Sequence, residues 1–243
     1  MPSWPSLPGA MERAGYTVSP PVLVREAPRS RGKSRLRRIF RRGAWKVSGA
    51  FRFDDTDLAT FEAFFAETLR SGELSFDGLA RPHDGAVGRA RFNAENGYEL
   101  ARAAGETRVS VEDMEFWAEP TDPGGLGKAW PSINPAMLAE GYAIGAAPGA
   151  IRGAMAGFQG QRGVSRAVPQ RVTGVFRFTD AEYALFEQWF VHGLGYGALA
   201  VTGWPRPHDG ASGQARFDAA EPWTALRTAG GWRVAANIDF IED

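Results

Sequence analysis

A hexapeptide with acid–base side chains, Arg-Pro-His-Asp-Gly-Ala, occurs twice in the chain, at residues 81–86 and at residues 206–211. A histidine beside a carboxylate can act as a general base whose ring is oriented by the acid. The two candidate pairs are His83 with Asp84 and His208 with Asp209. Adjacent side chains on an extended backbone point to opposite faces, however, so sequence neighbours rarely form the hydrogen bond that this chemistry needs.

The same hexapeptide is also good turn chemistry. Proline presets φ, Asp bonds its own backbone, and Gly adopts positive φ without a steric penalty. We interpret both copies as turns, because no third catalytic partner recurs at a matching place. The predicted turn residues are His83, Asp84 and Gly85 in the first copy and His208, Asp209 and Gly210 in the second.

The sequence contains few residues that could bind a metal ion or a cofactor. The chain contains three histidines and no cysteine, which excludes thiolate zinc sites and disulfide frameworks. Neither predicted helix starts from a phosphate-binding glycine loop, because Asp54 and Thr179 precede them. We therefore predict no cofactor, no metal and no enzymatic activity.

Basic residues are concentrated in one segment, residues 25–46. The formal net charge of the whole chain is zero, whereas this segment holds ten Lys or Arg residues and a single acid, Glu26, for a net charge of +9. The rest of the chain therefore carries −9, so a basic arm is attached to an acidic body. The arm residues predicted to make contacts are Arg31, Lys33, Arg35, Arg37, Arg38, Arg41 and Arg42.

Two kinds of partner fit the basic arm. Nucleic acid would bind it through phosphates, with an affinity that falls as salt rises. Alternatively, the arm docks on an acidic neighbouring subunit of the same protein. The opposite charge of the rest of the chain favours subunit docking. The second half also has fewer basic residues in its corresponding stretch, whereas a symmetrical nucleic-acid channel would need both halves to be basic.

Internal recurrence organises the whole chain. Short identities follow each other in the same order, at an offset of 126 residues early in the chain and 125 later. The matching segments are 4–6 with 130–132, 15–16 with 141–142, 51–53 with 176–178, and 81–86 with 206–211. Self-similarity at a fixed offset indicates repeated structural units. We therefore predict that one domain has been duplicated and fused.

The predicted boundaries give a first repeat at residues 1–120, a linker at residues 121–129 and a second repeat at residues 130–243. The linker is rich in turn-forming residues and poor in apolar ones. In each repeat a proline-rich arm precedes an alternating strand, one helix and several short strands. The prediction is an α+β, mainly β fold of two tandem repeats, each an antiparallel β-sandwich or barrel with one flanking α-helix.

The predicted helices have clear ends. The first begins after Asp54 and the second after Thr179, where Glu182 gives the spacing of a capping box. Aromatic residues at helical spacing form one stripe, which is expected to face the sheet. The glycines predicted to end the helices are Gly72 in the first repeat and Gly193 or Gly195 in the second.

Two tryptophans, Trp4 and Trp130, lie in the proline-rich arms rather than in predicted core strands. Large aromatic side chains in extended arms are typical of anchors that insert into another subunit. We therefore predict that both indoles are arm anchors.

No secretory signal and no membrane span is predicted. Residues 1–5 lack a basic region followed by an apolar stretch, and no run of about 18 apolar residues occurs. The absence of cysteine is compatible with a reducing cytoplasm.

The order of these motifs resembles that of small tail proteins of tailed bacteriophages and prophages. The resemblance rests on a Trp-Pro opening, a Gly-Tyr pair, an Arg-rich segment, an Arg-Phe strand and a helix with Phe-Glu followed by further aromatics. It covers residues 4–116 and again residues 130–240. At fold level it extends to the tail-tube and distal-tail proteins of siphophage-like tails, in which a β-sandwich with one helix forms rings.

The resemblance implies a structural protein of the virion tail, assembled in the host cytoplasm. Because tail rings are typically six-fold, a duplicated chain would build the same ring as a homotrimer with pseudo-six-fold symmetry. Its partners would be other copies of itself and other tail proteins, and DNA would pass through during ejection without sequence-specific binding. The basic arm would reach the next ring.

Two other functions stay open at this point. The chain could be a nucleic-acid-binding protein that uses its basic arm. It could also be a receptor-binding or glycan-binding module of a tail tip, in which exposed tryptophans grip the ligand.

Overall fold

The computed structural model describes the backbone of residues 1–8, 11–12, 14–27, 35–38, 43–103, 105–146, 170–211 and 213–242. In this part of the chain the fold is mainly β, with two helical segments. We call residues 1–120 the first half and residues 121–243 the second half.

The elements follow the same succession twice: a long strand, an α-helix with a π-helical turn, and three further strands. The strands of the first half are β1 (Thr17–Ser19), β2 (Val24–Ala27), β3 (Arg35–Arg38), β4 (Trp45–Phe53), β5 (Arg89–Arg91), β6 (Glu99–Ala103) and β7 (Glu106–Trp117). Those of the second half are β8 (Ala143–Ala146), β9 (Gln170–Phe178), β10 (Gly213–Phe217), β11 (Trp223–Thr228) and β12 (Gly231–Glu242). The helices are α1 (Asp55–Ala63) and α2 (Asp180–Gln188), continued by π-helical turns at Phe64–Thr68 and Trp189–Gly193.

One antiparallel sheet contains strands from both halves. Its order is β5-β7-β4-β1-β11-β12-β9-β8, with β6 also paired to β7 and β10 also paired to β12. The halves meet where β1 pairs with β11, with Val18 opposite Ala225. The structure thus differs from the prediction of a separate sandwich or barrel in each half. An unpaired strand edge is a template for another strand, and here the free edge of β1 is covered by β11.

A second, two-stranded sheet pairs β2 with β3 inside the basic arm. The ladder places Val24 opposite Arg38 and Ala27 opposite Arg35.

Strand β4 alternates buried and exposed residues as the sequence predicted, but only on either side of an irregularity. Trp45 and Val47 are buried before it, and Phe51 and Phe53 after it. The register shifts between Val47 and Gly49, so the alternation is interrupted there. Such a bulge bends the strand and increases its twist.

Both predicted helix starts are confirmed. The Asp54 side chain accepts hydrogen bonds from the first turn of α1, and Thr179 forms a full capping box with Glu182 at the start of α2. The predicted end at Gly72 lies later than the observed one, because the π-helical turn ends at Thr68. Gly72 instead belongs to the following turn, where φ is +89°.

The sequence predicted several short strands after each helix, but the last strand of each half is long. β7 and β12 have twelve residues each. Ahead of β5, Phe76 forms only an isolated bridge, to Ala90. In the described part of the chain no helix has the length and apolar character to cross a membrane.

A single hydrophobic core runs through both halves. It contains buried aromatic residues from β4 and α1 together with their counterparts from β9 and α2. At the boundary, Trp45 on β4 lies 6.0 Å, between ring centroids, from Trp223 on β11. The shared sheet and the shared core fix the two halves against each other.

Candidate functional site

The first Arg-Pro-His-Asp-Gly-Ala segment forms a tight turn beside the boundary between the halves. The Gly85 N–H donates to the Arg81 carbonyl at 2.8 Å, and the Arg81 N–H donates to the Ala86 carbonyl at 2.9 Å. The Asp84 carboxylate accepts from the Ala86 N–H at 3.1 Å. Gly85 has φ of +69°, a conformation that glycine adopts without a steric penalty.

The Arg81 guanidinium joins carboxylates from different halves. Its side chain is 0% exposed. Nε and Nη2 donate to the two oxygens of Asp84 at 3.0 and 2.5 Å, and Nη2 also donates to Glu187 on α2 at 3.2 Å. The guanidinium carbon lies 5.0 Å from the ring centroid of Trp45, within cation–π range.

His83 adds a second link between the halves. Its Nε2 lies 3.3 Å from both oxygens of Glu187, and its Nδ1 lies 3.2 Å from the Tyr16 hydroxyl. Because a carboxylate only accepts, Nε2–H donates to Glu187. In the neutral ring, Nδ1 then accepts from the Tyr16 O–H. The ring edges of His83 also pack against Tyr183 and Trp232, at 5.5 Å between centroids in each case.

Burial and charge act in opposite directions on the ionisable groups here. Burial raises the pKa of Asp84, but the hydrogen bond and charge of Arg81 outweigh it and hold that pKa below its usual range. Burial likewise disfavours charged Arg81, but the charges of Glu187 and Asp84 and the hydrogen bond to Asp84 together outweigh it, so the pKa of Arg81 is raised. Burial raises the pKa of the Tyr16 and Tyr183 hydroxyls well above the usual value. At neutral pH a charged ion pair therefore lies beside neutral tyrosines.

The series Tyr16–His83–Glu187 has the connectivity of a proton relay, in which a hydroxyl is activated by a histidine and an acid. A substrate would have to reach the Tyr16 hydroxyl, and this residue is only 1% exposed. The adjoining cavity has a volume of about 110 Å³, below the roughly 300–1,000 Å³ typical of small-molecule sites. The arrangement is therefore suited to holding the halves together rather than to turning over a substrate.

The same cluster is also a poor binding site for a metal ion. His83, Asp84 and Glu187 bring ligand atoms within 4.8 Å of one another. The guanidinium of Arg81 already binds both carboxylates, and it supplies the positive charge that a metal would bring. We conclude that these residues do not fit a metal ion.

The second hexapeptide forms the same turn in the second half. The Gly210 N–H donates to the Arg206 carbonyl at 2.8 Å, and the Ala211 N–H donates to the Asp209 carboxylate at 3.1 Å. Tyr142 and His208 repeat the contact of Tyr16 with His83, with 3.0 Å between the hydroxyl and Nδ1.

The surroundings of this second turn are more open. Arg206 bonds the side chains of Asp209 and Gln170, and this hydrogen bond to Arg206 is the main reason that the pKa of Asp209 is lowered. The imidazole of His208 faces Asp209, with 3.4 Å between Nε2 and Oδ2, and is 39% exposed. By contrast, the His83 side chain is 4% exposed. The first turn is covered by the second half, whereas the second turn lies near the surface.

The predicted arm anchors pack inside the chain. Trp4 stacks against Phe51 and Phe76, at 5.4 and 5.5 Å between ring centroids. Trp130 packs against Phe176 at 5.3 Å, and its indole N–H donates to the Ile133 carbonyl. These contacts give both indoles a place in the core of their own half.

The residues of the basic arm are only partly described. Arg35, Arg37 and Arg38 lie on β3, whose backbone pairs with β2. Arg31, Lys33, Arg41 and Arg42 lie outside the described residues. Their predicted contact with another subunit stays a prediction.

Sequence reasoning missed Glu187, the residue on which the site depends. It is 1% exposed and lies between the buried residues Phe186 and Trp189 on the inner face of α2 and its π-helical turn. A carboxylate on an apolar helix face implies a buried cationic partner, so the sequence did carry a signal. The identity of that partner, Arg81, required the tertiary structure.

No protein-family model matches this chain, and no curated protein matches it either.

Proposed function

We propose that the chain is a structural subunit of a virus-like tail, built from two equivalent repeats, that assembles with other copies of itself into rings. The observation that carries this proposal is the β1–β11 pairing, by which one half extends the sheet of the other. A contact between two similar units that uses different edges of each is heterologous, and such a contact can repeat from unit to unit.

The recurrence of sequence and of element order supports the equivalence of the repeats. Tyr16 with His83 and Tyr142 with His208 make the same side-chain contact in the two halves. Gly49 and Gly174 occupy matching places as well, because a Cβ atom added there would lie 3.0 Å from the Met11 sulfur and 2.5 Å from the Met137 sulfur, respectively. Two halves alike in such detail are expected to expose similar edges.

The resemblance to phage tail proteins supplies the particular assembly. If successive repeats are related by about one sixth of a turn, three chains close a ring of six repeats. Such a ring of tail-tube, distal-tail or tip type would surround the path of DNA in the virion tail. The acidic body would repel DNA and leave it free to slide, whereas the basic arm would dock on the next ring.

Imaging and mass measurement of the purified chain test this proposal. We expect ring-shaped or tubular particles in electron micrographs, and a mass three times that of the 26.4 kDa chain for an isolated ring. A chain that stays monomeric up to high concentration, in low and in high salt, would contradict the proposal.

The charge of the basic arm favours a second candidate, a nucleic-acid-binding protein. Ten Lys or Arg residues in one segment are enough for binding to phosphates that weakens steeply as salt rises. DNA binding by the monomer with that salt dependence, without any ring or tube, would favour this candidate over the structural one.

A further inference from the structure

The internal boundary shows how one repeat receives the next. On the core face, Val18 of β1 lies opposite Ala225 of β11, and both are 0% exposed. The backbone continues the pairing beyond β1, since the Arg227 N–H donates to the Tyr16 carbonyl at 2.8 Å. The contact thus consists of a short β-ladder with apolar side chains beneath it.

Each of the two strands at the internal boundary, β1 and β11, has a counterpart in the other half. β8 pairs with β9 as β1 pairs with β4, which makes Ile144 the counterpart of Val18. In the same way β6 pairs with β7 as β11 pairs with β12, which makes Leu100 the counterpart of Ala225. The chain therefore carries one further edge of each kind.

These further edges are open. Among the described residues β8 pairs only with β9, and β6 pairs only with β7. Ile144 and Leu100 are 41% and 48% exposed, although their counterparts at the internal boundary are fully buried. Two exposed apolar residues at the places of two buried ones indicate that both edges are shaped for a partner strand.

We propose that β8 of one copy pairs antiparallel with β6 of the next copy, with Ile144 opposite Leu100 and Ala143 opposite Ala101. This inference rests on the proposed function, and it names the surfaces, the partner and the register. The pairing extends the sheet from chain to chain and removes both edges from solvent. Because the two edges differ, the contact is heterologous and gives a ring or a filament, not a two-fold dimer.

Side-chain charge supports the same pairing. Glu187 on α2 meets Arg81 and His83 at the internal boundary. Its counterpart on α1 is the exposed residue Glu62, and the counterpart of His83 is His208. When β6 of the next copy docks on β8, its Glu62 comes to the turn that contains Arg206 and His208. A carboxylate then meets an arginine and a histidine of the turn at both boundaries, inside the chain and between chains.

Single-cysteine variants test the register directly, because the natural chain contains no cysteine. Ile144→Cys and Leu100→Cys chains are mixed, allowed to assemble and oxidised. Directly opposite residues of an antiparallel pair have Cα atoms about 4.5–5.5 Å apart, within the range of a disulfide. We expect the mixed 144–100 disulfide to exceed the 144–144 and 100–100 products at least tenfold. A Glu99→Cys chain is the matched control, because its side chain points to the opposite face, and we expect little disulfide with Ile144→Cys.

The possible outcomes separate this inference from the proposed function. A particle that assembles but gives no 144–100 disulfide, or mainly the symmetric 144–144 product, overturns the β8–β6 contact and leaves the structural role standing. A chain that remains monomeric overturns both. The mixed disulfide together with ring-shaped or filamentous particles supports both.

A charge exchange tests the polar contact without altering the strands. We expect Glu62→Arg to weaken self-association at least tenfold and His208→Glu to weaken it as well. Combining the two substitutions is expected to restore most of the affinity, because the opposite charges again face each other. If Glu62→Arg leaves self-association unchanged, or if the combined variant is no tighter than the single ones, the proposed contact is wrong.

Discussion

The Arg81–Glu187 ion pair is buried at the point where the halves meet, with side-chain exposures of 0% and 2%. A buried pair gains its Coulomb energy only against the desolvation of both ions, so its presence does not by itself stabilise the fold. Removing one partner is different, because the remaining charge is left without compensation. Here Asp84 and the Trp45 ring also contact Arg81. If Glu187 is removed, they still compensate part of the guanidinium charge.

We expect Glu187→Ala to lower the free energy of unfolding by about 2–3 kcal/mol. Removing one partner of a buried ion pair typically costs about 3–5 kcal/mol. The expected cost is smaller here because Asp84 stays bonded to Arg81. Chemical denaturation of the monomeric chain measures the change. The matched control is Glu62→Ala, at the exposed counterpart position, which should alter the same free energy by less than about 0.5 kcal/mol. Equal effects of the two substitutions would show that the ion pair has no role in stability.

The depressed pKa of Asp84 links stability to pH. Its pKa in the folded chain lies below its ordinary value, so the folded state binds the proton less tightly than the unfolded state does. The resulting stabilisation is fully present above the ordinary pKa of about 3.9 and is lost as the pH falls through the lower, folded-state value. Other carboxylates with lowered pKa, such as Glu12 and Asp218, add to the same trend.

We therefore expect the Asp84→Asn variant to lose less stability than the parent chain when the pH is lowered from 5 to 2. Denaturation at a series of pH values gives the difference between the two curves. Parallel curves for the two chains would contradict this assignment of Asp84.

At the scale of elements, the three-residue strand β1 holds the halves in one sheet. It pairs with β4 on one side and with β11 on the other. Strands this short contribute few hydrogen bonds, so much of the contact comes from the apolar residues on the core face, above all Val18. The capped helices contribute differently, since α1 and α2 each pack an aromatic face against the sheet of their own half.

A charged residue in β1 should destabilise the chain more than the same residue at the matching position of β8. We expect Val18→Asp to lower the free energy of unfolding by about 3 kcal/mol or more, because a carboxylate would be buried without a partner. The same change at the counterpart position, Ile144→Asp, should lower it by about 1 kcal/mol or less in the monomeric chain, because that residue is 41% exposed. Comparison of the two denaturation midpoints tests this, and a larger effect at Ile144 would contradict it.

In the whole molecule, the edges that join the two halves at β1 and β11 have counterparts at β8 and β6. Inside the chain the boundary is closed, with the turn at residues 81–86, β1, β11 and α2 in contact. Among the described residues, the corresponding edges β8 and β6 each pair on one side only, and the proposed contact joins one to the other. Under the proposed function, these two open edges would join successive chains into a ring.

Local chemistry in the sequence determined much of the secondary structure. The capping box of Thr179 with Glu182, the Asp54 cap and the alternation in β4 depend on residues a few positions apart, and each was predictable. The two hexapeptide turns are local in the same sense. The helix ends were predictable in part: the second helical segment ends at Gly193, one of its two predicted glycines, whereas the first ends at Thr68, before Gly72.

Only the tertiary structure decided how the halves join. Period-two alternation tells which face of a strand is buried, but it does not tell which edge the next strand covers, and β1 and β11 are about 200 residues apart. The same limit hid Glu187, since its partners Arg81 and His83 lie more than 100 residues away. Local patterns fix what each element is, whereas the pairing of edges and the neutralisation of buried charge depend on contacts that form only when distant segments meet.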